Sequence, residues 1–304
     1  MKFLRFLVQI ASGIVNFAVL AACLLLFSYG CYAVWDSQQL TQAADPRKYE
    51  VYKPTEEDTR SFEELQAINS DVFGWLNVYG TNINYPLVQG EDNSKYVNTN
   101  VDGEYSLIGS LFLDYRNRKD FSDFNSIIYG HHMAEDKMFG DIADFADQEF
   151  FDSHRYGSLF YNGHTRGLEF FAFLEIDAYD DVYTPGISKE ESRQDYLKKI
   201  INQAVHTRDL SVDTSDYLVL LSTCTSLLTN GRHILVGKIT DEVPPDLFYE
   251  EVQEKKLSGA DTQKLLRRLA AMPIWVKSAA GFFCILVLGG AACIGRQKWK
   301  KRKR

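Results

Sequence analysis

No charged side chain interrupts the thirty residues from Phe6 to Trp35, and Lys2 and Arg5 stand just ahead of them. A helix of that length crosses a hydrocarbon core of about 30 Å with room for tilt. A cleaved signal peptide is the competing reading, but its apolar region runs to only about 7–15 residues. A second apolar segment, residues 274–295, carries Lys277 alone near its outer edge. Seven cations and no anion follow it, from Arg296 to Arg304. Cations stay on the cytoplasmic side, so the pattern predicts two crossings with both termini inside and the middle of the chain outside. Trp35 and Trp275 then fall at the outer interface, where amphipathic rings settle.

Charge divides the chain in the same way. All 41 acidic residues lie between Asp36 and Asp261, whereas nine of the 33 basic ones flank the apolar segments. Residues 36–277 therefore set 24 cations against 41 anions, a net charge of −17. So acidic an exterior argues against a nucleic-acid partner. The basic tail abuts an apolar segment and reads as a topology signal beside membrane lipid. The expected organisation is a cytoplasmic N-terminus (1–5), a transmembrane helix (6–35), a stalk (36–60), one folded domain (61–240), a second stalk (241–273), a transmembrane helix (274–295) and a cytoplasmic tail (296–304).

Within the domain, Ser61-x-x-Glu64 has the form of a capping box and predicts a short helix to Asn69. Eight strands are expected: 72–78, 83–88, 110–113, 126–129, 158–161, 168–179, 218–223 and 233–239. Helices are expected over Met138–Phe145 and Ser188–His206, the latter with Tyr196, Ile200, Ile201 and Val205 at helical intervals. About eight strands in one mainly β domain suit a closed barrel or a sandwich.

Cys224 is the one cysteine outside the apolar ends, since Cys23, Cys31, Cys284 and Cys293 all lie within them. A lone extracytoplasmic thiol forms no internal disulfide, so it is either a nucleophile or a small buried hydrophobe. A nucleophilic thiol, mostly protonated at neutral pH, needs a neighbouring base or cation. His131 and His132 follow the strand-like Ile127-Ile128-Tyr129 and a glycine, a place where loops present catalytic groups. His154 and His164 sit in polar contexts and are expected in solvent. Adjacent histidines rarely face one metal, so no metal site is expected. Arg232 opens the last strand and is either a surface cation or a donor to a developing oxyanion.

These motifs resemble the sortases, most closely class B, over about Phe62–Ile239. The family's T-L-x-T-C signature appears as Leu220-Leu221-Ser222-Thr223-Cys224, with leucine at the first position. The arginine strand appears as Asn230-Gly231-Arg232-His233-Ile234-Leu235-Val236, and the histidine motif as Tyr129-Gly130-His131-His132-Met133 followed by Met138-Phe139-Gly140. Asp71–Leu76, Asn84–Gly90 and Ser110–Asn117 are similar to the class B leader region, and the helix near 188–206 falls where class B members insert one. The resemblance implies a sortase-type closed barrel and a cysteine transpeptidase without a cofactor. Cys224 would form a thioester with a peptide near the C-terminus of a secreted protein bearing a sorting signal. His131 would act as acid and base, Arg232 would stabilise the oxyanion or hold the substrate backbone, and Thr223 and Ser222 would contact substrate. His132 is an auxiliary candidate.

The acceptor amine is either a pilin lysine or a peptidoglycan peptide. The second apolar span is reminiscent of pilus-assembly sortases, whereas Asp45-Pro46-Arg47 lacks the aromatic of their aspartate-proline lid. No LPxTG-like motif precedes Ile274, so the chain reads as a processor of sorting signals rather than a carrier of one. Outside the family, the alternatives are a papain-like thiol hydrolase and a non-catalytic assembly scaffold.

Overall fold

The computed structural model describes residues 2–55, 57–133, 136–224 and 230–249. The expected second transmembrane helix, the basic tail and most of the second stalk lie outside the described residues. The first helix, α1 (Lys2–Ala43), is long and apolar enough to cross a membrane. Its large apolar side chains stand exposed, Phe17 at 74% and Leu25 at 73%.

Helix α1 runs eight residues past Trp35 into the region read as a stalk. Asp45 then caps a 3-10 turn, Pro46–Lys48, by accepting the Arg47 N–H. Ala44 and Tyr49 are buried against the domain, so residues 44–52 dock on it instead of spanning open solvent. Helix α2 (Arg60–Ile68) begins one residue before the expected capping box, with Thr59 at the cap position and its hydroxyl donating to Glu63 rather than Ser61 serving Glu64.

Nine strands follow: β1 (Val72–Val78), β2 (Asn84–Val88), β3 (Leu111–Leu113), β4 (Asn125–Tyr129), β5 (Tyr156–Tyr161), β6 (His164–Asp177), β7 (Ala204–Thr207), β8 (Leu218–Cys224) and β9 (Gly231–Thr240). Their order is β5-β1-β2-β3-β4-β8-β9-β6, and pairing of β6 back to β5 closes eight of them into a barrel. The eight expected strands are these eight. Strand β6 makes closure feasible by its length: its first half pairs with β5 and its second half with β7, while β9 runs along the opposite edge.

Strand β7 was not expected. The helical spacing through Val205 suggests one helix to His206, but α4 (Glu190–Gln203), the helix after the short α3 (Gln148–Ser153), stops at Gln203 and the chain turns extended to pair His206 with Phe173. Backbone partners on the free edge of β6 outweigh the weak local preference of four residues for helix. The expected helix at Met138–Phe145 is instead a 3-10 stretch, Gly140–Ala146, preceded by two left-handed residues, Asp136 and Met138.

Strand β8 shows why the middle of the sheet reads as a continuous apolar run. Val219 and Leu221 face the barrel core with Leu235 and Phe173, whereas Leu218 and Leu220 face outward with Phe124, Tyr196 and Ile200 beneath α4 (Glu190–Gln203). Each such side chain contributes about 1.5–3 kcal/mol by leaving water. A third cluster, Phe62, Leu65, Trp75 and Phe160, lies under α2.

Asp141 ties the 3-10 stretch to the β1–β2 turn by accepting the Asn82 N–H at 2.5 Å. Burial, aided by the charges of Asp136 and Asp144 and opposed by the Asn82 bonds, pushes its carboxyl up to about 6. The folded chain then holds this proton more tightly than the unfolded one, so the contribution to stability is greatest below about pH 4 and falls as pH rises through about 6. Asp141→Asn retains an oxygen for the Asn82 N–H and removes the charge. Urea unfolding between about pH 4 and 7 should show the variant gaining on the wild type as pH rises; a constant difference would contradict the raised pKa.

Candidate active site

Strands β4 and β8 pair in parallel, with Tyr129 opposite Ser222. The ladder continues one residue further, where the Gly130 N–H donates to the Ser222 carbonyl at 3.2 Å. Two residues beyond Tyr129 is His131, and two beyond Ser222 is Cys224, so the register carries both positions to the same end of the sheet. Strand β9 returns antiparallel to β8, and its Arg232 is the register partner of Cys224. Three neighbouring strands thus bring positions 131, 224 and 232 to one rim.

His131 is half-buried, with Nε2 2.8 Å from the Val97 carbonyl. A carbonyl only accepts, so Nε2 carries a proton and Nδ1 is the nitrogen left to gain or lose one. The loop behind it is pinned where the Phe139 N–H donates to the His131 carbonyl at 3.0 Å and where His132 bridges to Met138. Gly130 is required by crowding: a Cβ there would collide with the Leu111 side chain and stand 2.7 Å from the Phe139 ring. His132 itself is exposed. Arg232 is half-buried and donates through Nη1 to the Gly231 carbonyl at 2.9 Å.

Ser222 and Thr223 are both 2% exposed. The Ser222 hydroxyl lies 2.7 Å from that of Tyr183, while Thr223 Oγ1 and Nδ1 of its cross-strand partner His233 find no hydrogen-bond partner among the described residues. Burial holds His233 below the usual imidazole range against the pull of Glu175, with a smaller push from nearby His132. Ser222, Thr223, His131 and Arg232 line a groove of about 410 Å³ together with Asn93, Val97, Phe112, Tyr129 and Tyr183.

The aromatic floor of that groove rests on a buried carboxylate. Tyr129 stacks on Tyr183 with ring centres 6.2 Å apart, and its hydroxyl donates to Asp114 at 3.0 Å. Asp114 is fully buried and also accepts from Asn93 at 2.9 Å and from Arg116 at 2.9 and 2.8 Å. Burial acts to raise its pKa, but these donors outweigh it and hold the carboxyl below its ordinary value. Burial, then the Asp114 charge, pushes the Tyr129 phenol up. In the sequence Tyr129, Asp114 and Arg116 stand only as members of motifs, with no role of their own. A carboxylate closing the apolar run Leu111-Phe112-Leu113 beside an arginine was the available signal. Nothing local marked Tyr183, which reaches Ser222 across 39 residues.

The remaining histidines stand elsewhere. His164 is exposed, as expected. His154 is half-buried rather than fully in solvent, stacked on Phe150 with centres 3.7 Å apart. Among the described residues, one group of carboxylates has ligand atoms close enough to share a cation: Asp136, Asp141 and Asp144, within 4.8 Å of one another. It is distinct from the groove. For the groove itself, Gly130→Ala should cut turnover about tenfold or more by displacing the Phe139 ring and His131 loop. Steady-state kinetics on variant protein with an unchanged thermal midpoint checks this, and full activity would show that the loop absorbs the methyl group.

No family model matches the chain. Sortase B of Listeria monocytogenes is 35% identical over 180 residues, covering 58% of this chain and 72% of that protein. Among solved structures, a sortase B from the type II pilus of Streptococcus pneumoniae is 54% identical, covering 60% of this chain and 99% of its own with a TM-score of 0.53. A Streptococcus pyogenes class B sortase involved in pilus biogenesis is 42% identical, covering 59% and 97% with a TM-score of 0.54. The eight-stranded barrel and this identity across most of a relative's length give one conclusion: the chain belongs to the sortase family of cysteine transpeptidases and is class B-like.

Proposed function

We propose that this sortase is a membrane-tethered enzyme whose reaction centre is formed by Cys224, His131 and Arg232. The observation carrying the proposal is the double register: His131 two residues beyond the Tyr129–Ser222 pair, and Cys224 opposite Arg232. The Cys224 thiolate adds to a peptide carbonyl in the sorting signal of a secreted protein, and Arg232 hydrogen-bonds the oxyanion. Collapse breaks the C–N bond as His131 gives its Nδ1 proton to the leaving amine, leaving a thioester. An acceptor amine then adds, His131 takes its proton, and the C–S bond breaks to restore thiolate and imidazolium. One amide is exchanged for another, and no step calls on a cofactor or metal.

Thr223 and Ser222 serve as groove wall for the bound peptide, and His132, exposed beside the loop, serves at most to tune its neighbour. The two pilus-associated sortases are more similar to this chain than the Listeria protein is, which favours a pilin amine over peptidoglycan as acceptor. For the membrane, the exposed apolar α1 supports an N-terminal anchor. Burial holds the Lys53 ammonium on the incoming segment below its ordinary value against the pull of Asp246 on the outgoing one, which supports the two segments lying on one side of the barrel. That supports a two-pass arrangement with residues 274–295 as the second span, both termini cytoplasmic, in a Gram-positive cell envelope.

The test is intact-mass analysis of the full chain in nanodiscs with sorting peptides, with and without an amine. An acyl adduct should form on the wild type, be discharged by amine, and be absent from Cys224→Ala. Arg232→Ala should slow acylation about 10²–10³-fold, and His131→Ala about 10²–10⁴-fold. An adduct that persists in Cys224→Ala would sink the assignment, and release mainly to water in the presence of amine would favour the hydrolase.

A further inference from the structure

Tyr85 lies in the Asn84–Gly90 stretch that the reaction scheme leaves unused. Its ring is 3% exposed, within the barrel core. Its hydroxyl joins two segments remote from each other in sequence. It donates to the Ala44 carbonyl, just past the end of α1, at 2.7 Å. It accepts the Met138 N–H at 3.1 Å. The direction is forced, because a carbonyl only accepts and an amide N–H only donates. Burial also pushes the phenol's pKa up, which keeps the proton in place.

The Met138 end bears on the candidate base. Met138 adopts φ +53°, a conformation that persists in a non-glycine residue when its surroundings hold it. It bridges to His132, and the next residue, Phe139, donates to the His131 carbonyl at 3.0 Å. The Ala44 end bears on the tether. Ala44 is 2% exposed and Tyr49 6%, Lys48 pairs with Asp102 at 2.9 Å, and the Asp45 carboxylate stands 3.9 Å from Lys137, inside the histidine loop. A tyrosine serving only as core filling needs one partner for its hydroxyl. This one spends its donor on the end of the membrane helix and its acceptor on the loop that shapes position 131.

We propose that Tyr85 is a positioning residue, and that the juxtamembrane segment Ala44–Tyr52, through its hydroxyl, is part of the scaffold that holds His131. The membrane-proximal segment thereby acts on the reaction centre without touching substrate. The kinetic consequence rests on the transpeptidase reading; the structural coupling does not.

The experiment uses the full chain in nanodiscs and two readouts, hydrogen exchange over residues 131–140 and acyl transfer. The variants are Tyr85→Phe, the docking double variant Lys48→Ala/Tyr49→Ala, and the three changes combined. Loss of a hydrogen bond of ordinary strength should speed loop exchange about five- to tenfold in Tyr85→Phe, with exchange in β8 and β9 unchanged. The docking variant should speed the same peptides, and the combination should go no further than Tyr85→Phe. Turnover should fall by a similar factor at unchanged KM. Unaltered loop exchange in Tyr85→Phe, or additive effects in the combination, overturns the proposal. If Tyr85→Phe does not fold, the docking variant alone decides: loop exchange faster than wild type supports the coupling, and exchange equal to it overturns it. Faster loop exchange in a chain that never forms an acyl adduct upholds the scaffold and sinks the transpeptidase reading instead.

Discussion

Everything at the rim depends on the parallel pairing of β4 with β8. A parallel neighbour cannot be reached by a tight turn; it requires a crossover, and here the chain spends residues 130–217 on it. That excursion builds the histidine loop, β5, β6, α4 and β7 before returning with the cysteine strand. The cost is a long loop closure; the gain is that two segments almost a hundred residues apart end at the same level with their ladder in register. Strand β9 then needs only a short return to set Arg232 opposite Cys224.

The pairing holds because β8 is buried on both faces. Leu218 and Leu220 would be exposed on the outside of a bare barrel; α4 and Phe124 cover them. A register slip of one residue would exchange the outward and inward sets and carry Ser222 into the core. The groove floor adds a polar lock at the same place. Asp114, wholly buried, is supported by Arg116, Asn93 and Tyr129. Removing one donor from such a carboxylate is costlier than the bond itself is strong, because the charge stays buried.

How much of this was legible in the sequence differed by element. The eight barrel strands were readable because their apolar runs are bounded by glycine, proline and polar turns. Strand β7 was not, because Ala204–Thr207 has little local preference and owes its conformation to the edge of β6. The cap expected at Ser61 falls two residues earlier, at Thr59, where Thr59 and Glu63 offer the chain a comparable arrangement. The stalk reading of residues 36–60 rested on polarity and two prolines, features that do not reveal docking of Ala44 and Tyr49. Cys224, His131 and Arg232 were conspicuous by residue type and position at strand ends. Tyr183, Asn93 and Tyr85 had no such signature, because their meaning lies in what they touch.

The sequence by itself determined the apolar N-terminal helix, the acidic domain and the set of barrel strands, and it singled out positions 131, 224 and 232, which are proposed to carry the chemistry. These follow from composition, period and residue chemistry, which act over a few neighbours. Only the tertiary structure decided that β6 closes the barrel onto β5, that Tyr129 rests on a buried Asp114, that His131 donates Nε2–H to Val97, and that one phenol links the end of α1 to the histidine loop. Each of these joins residues remote along the chain. Their free energy appears only after the intervening segments have folded, so no local pattern encodes them.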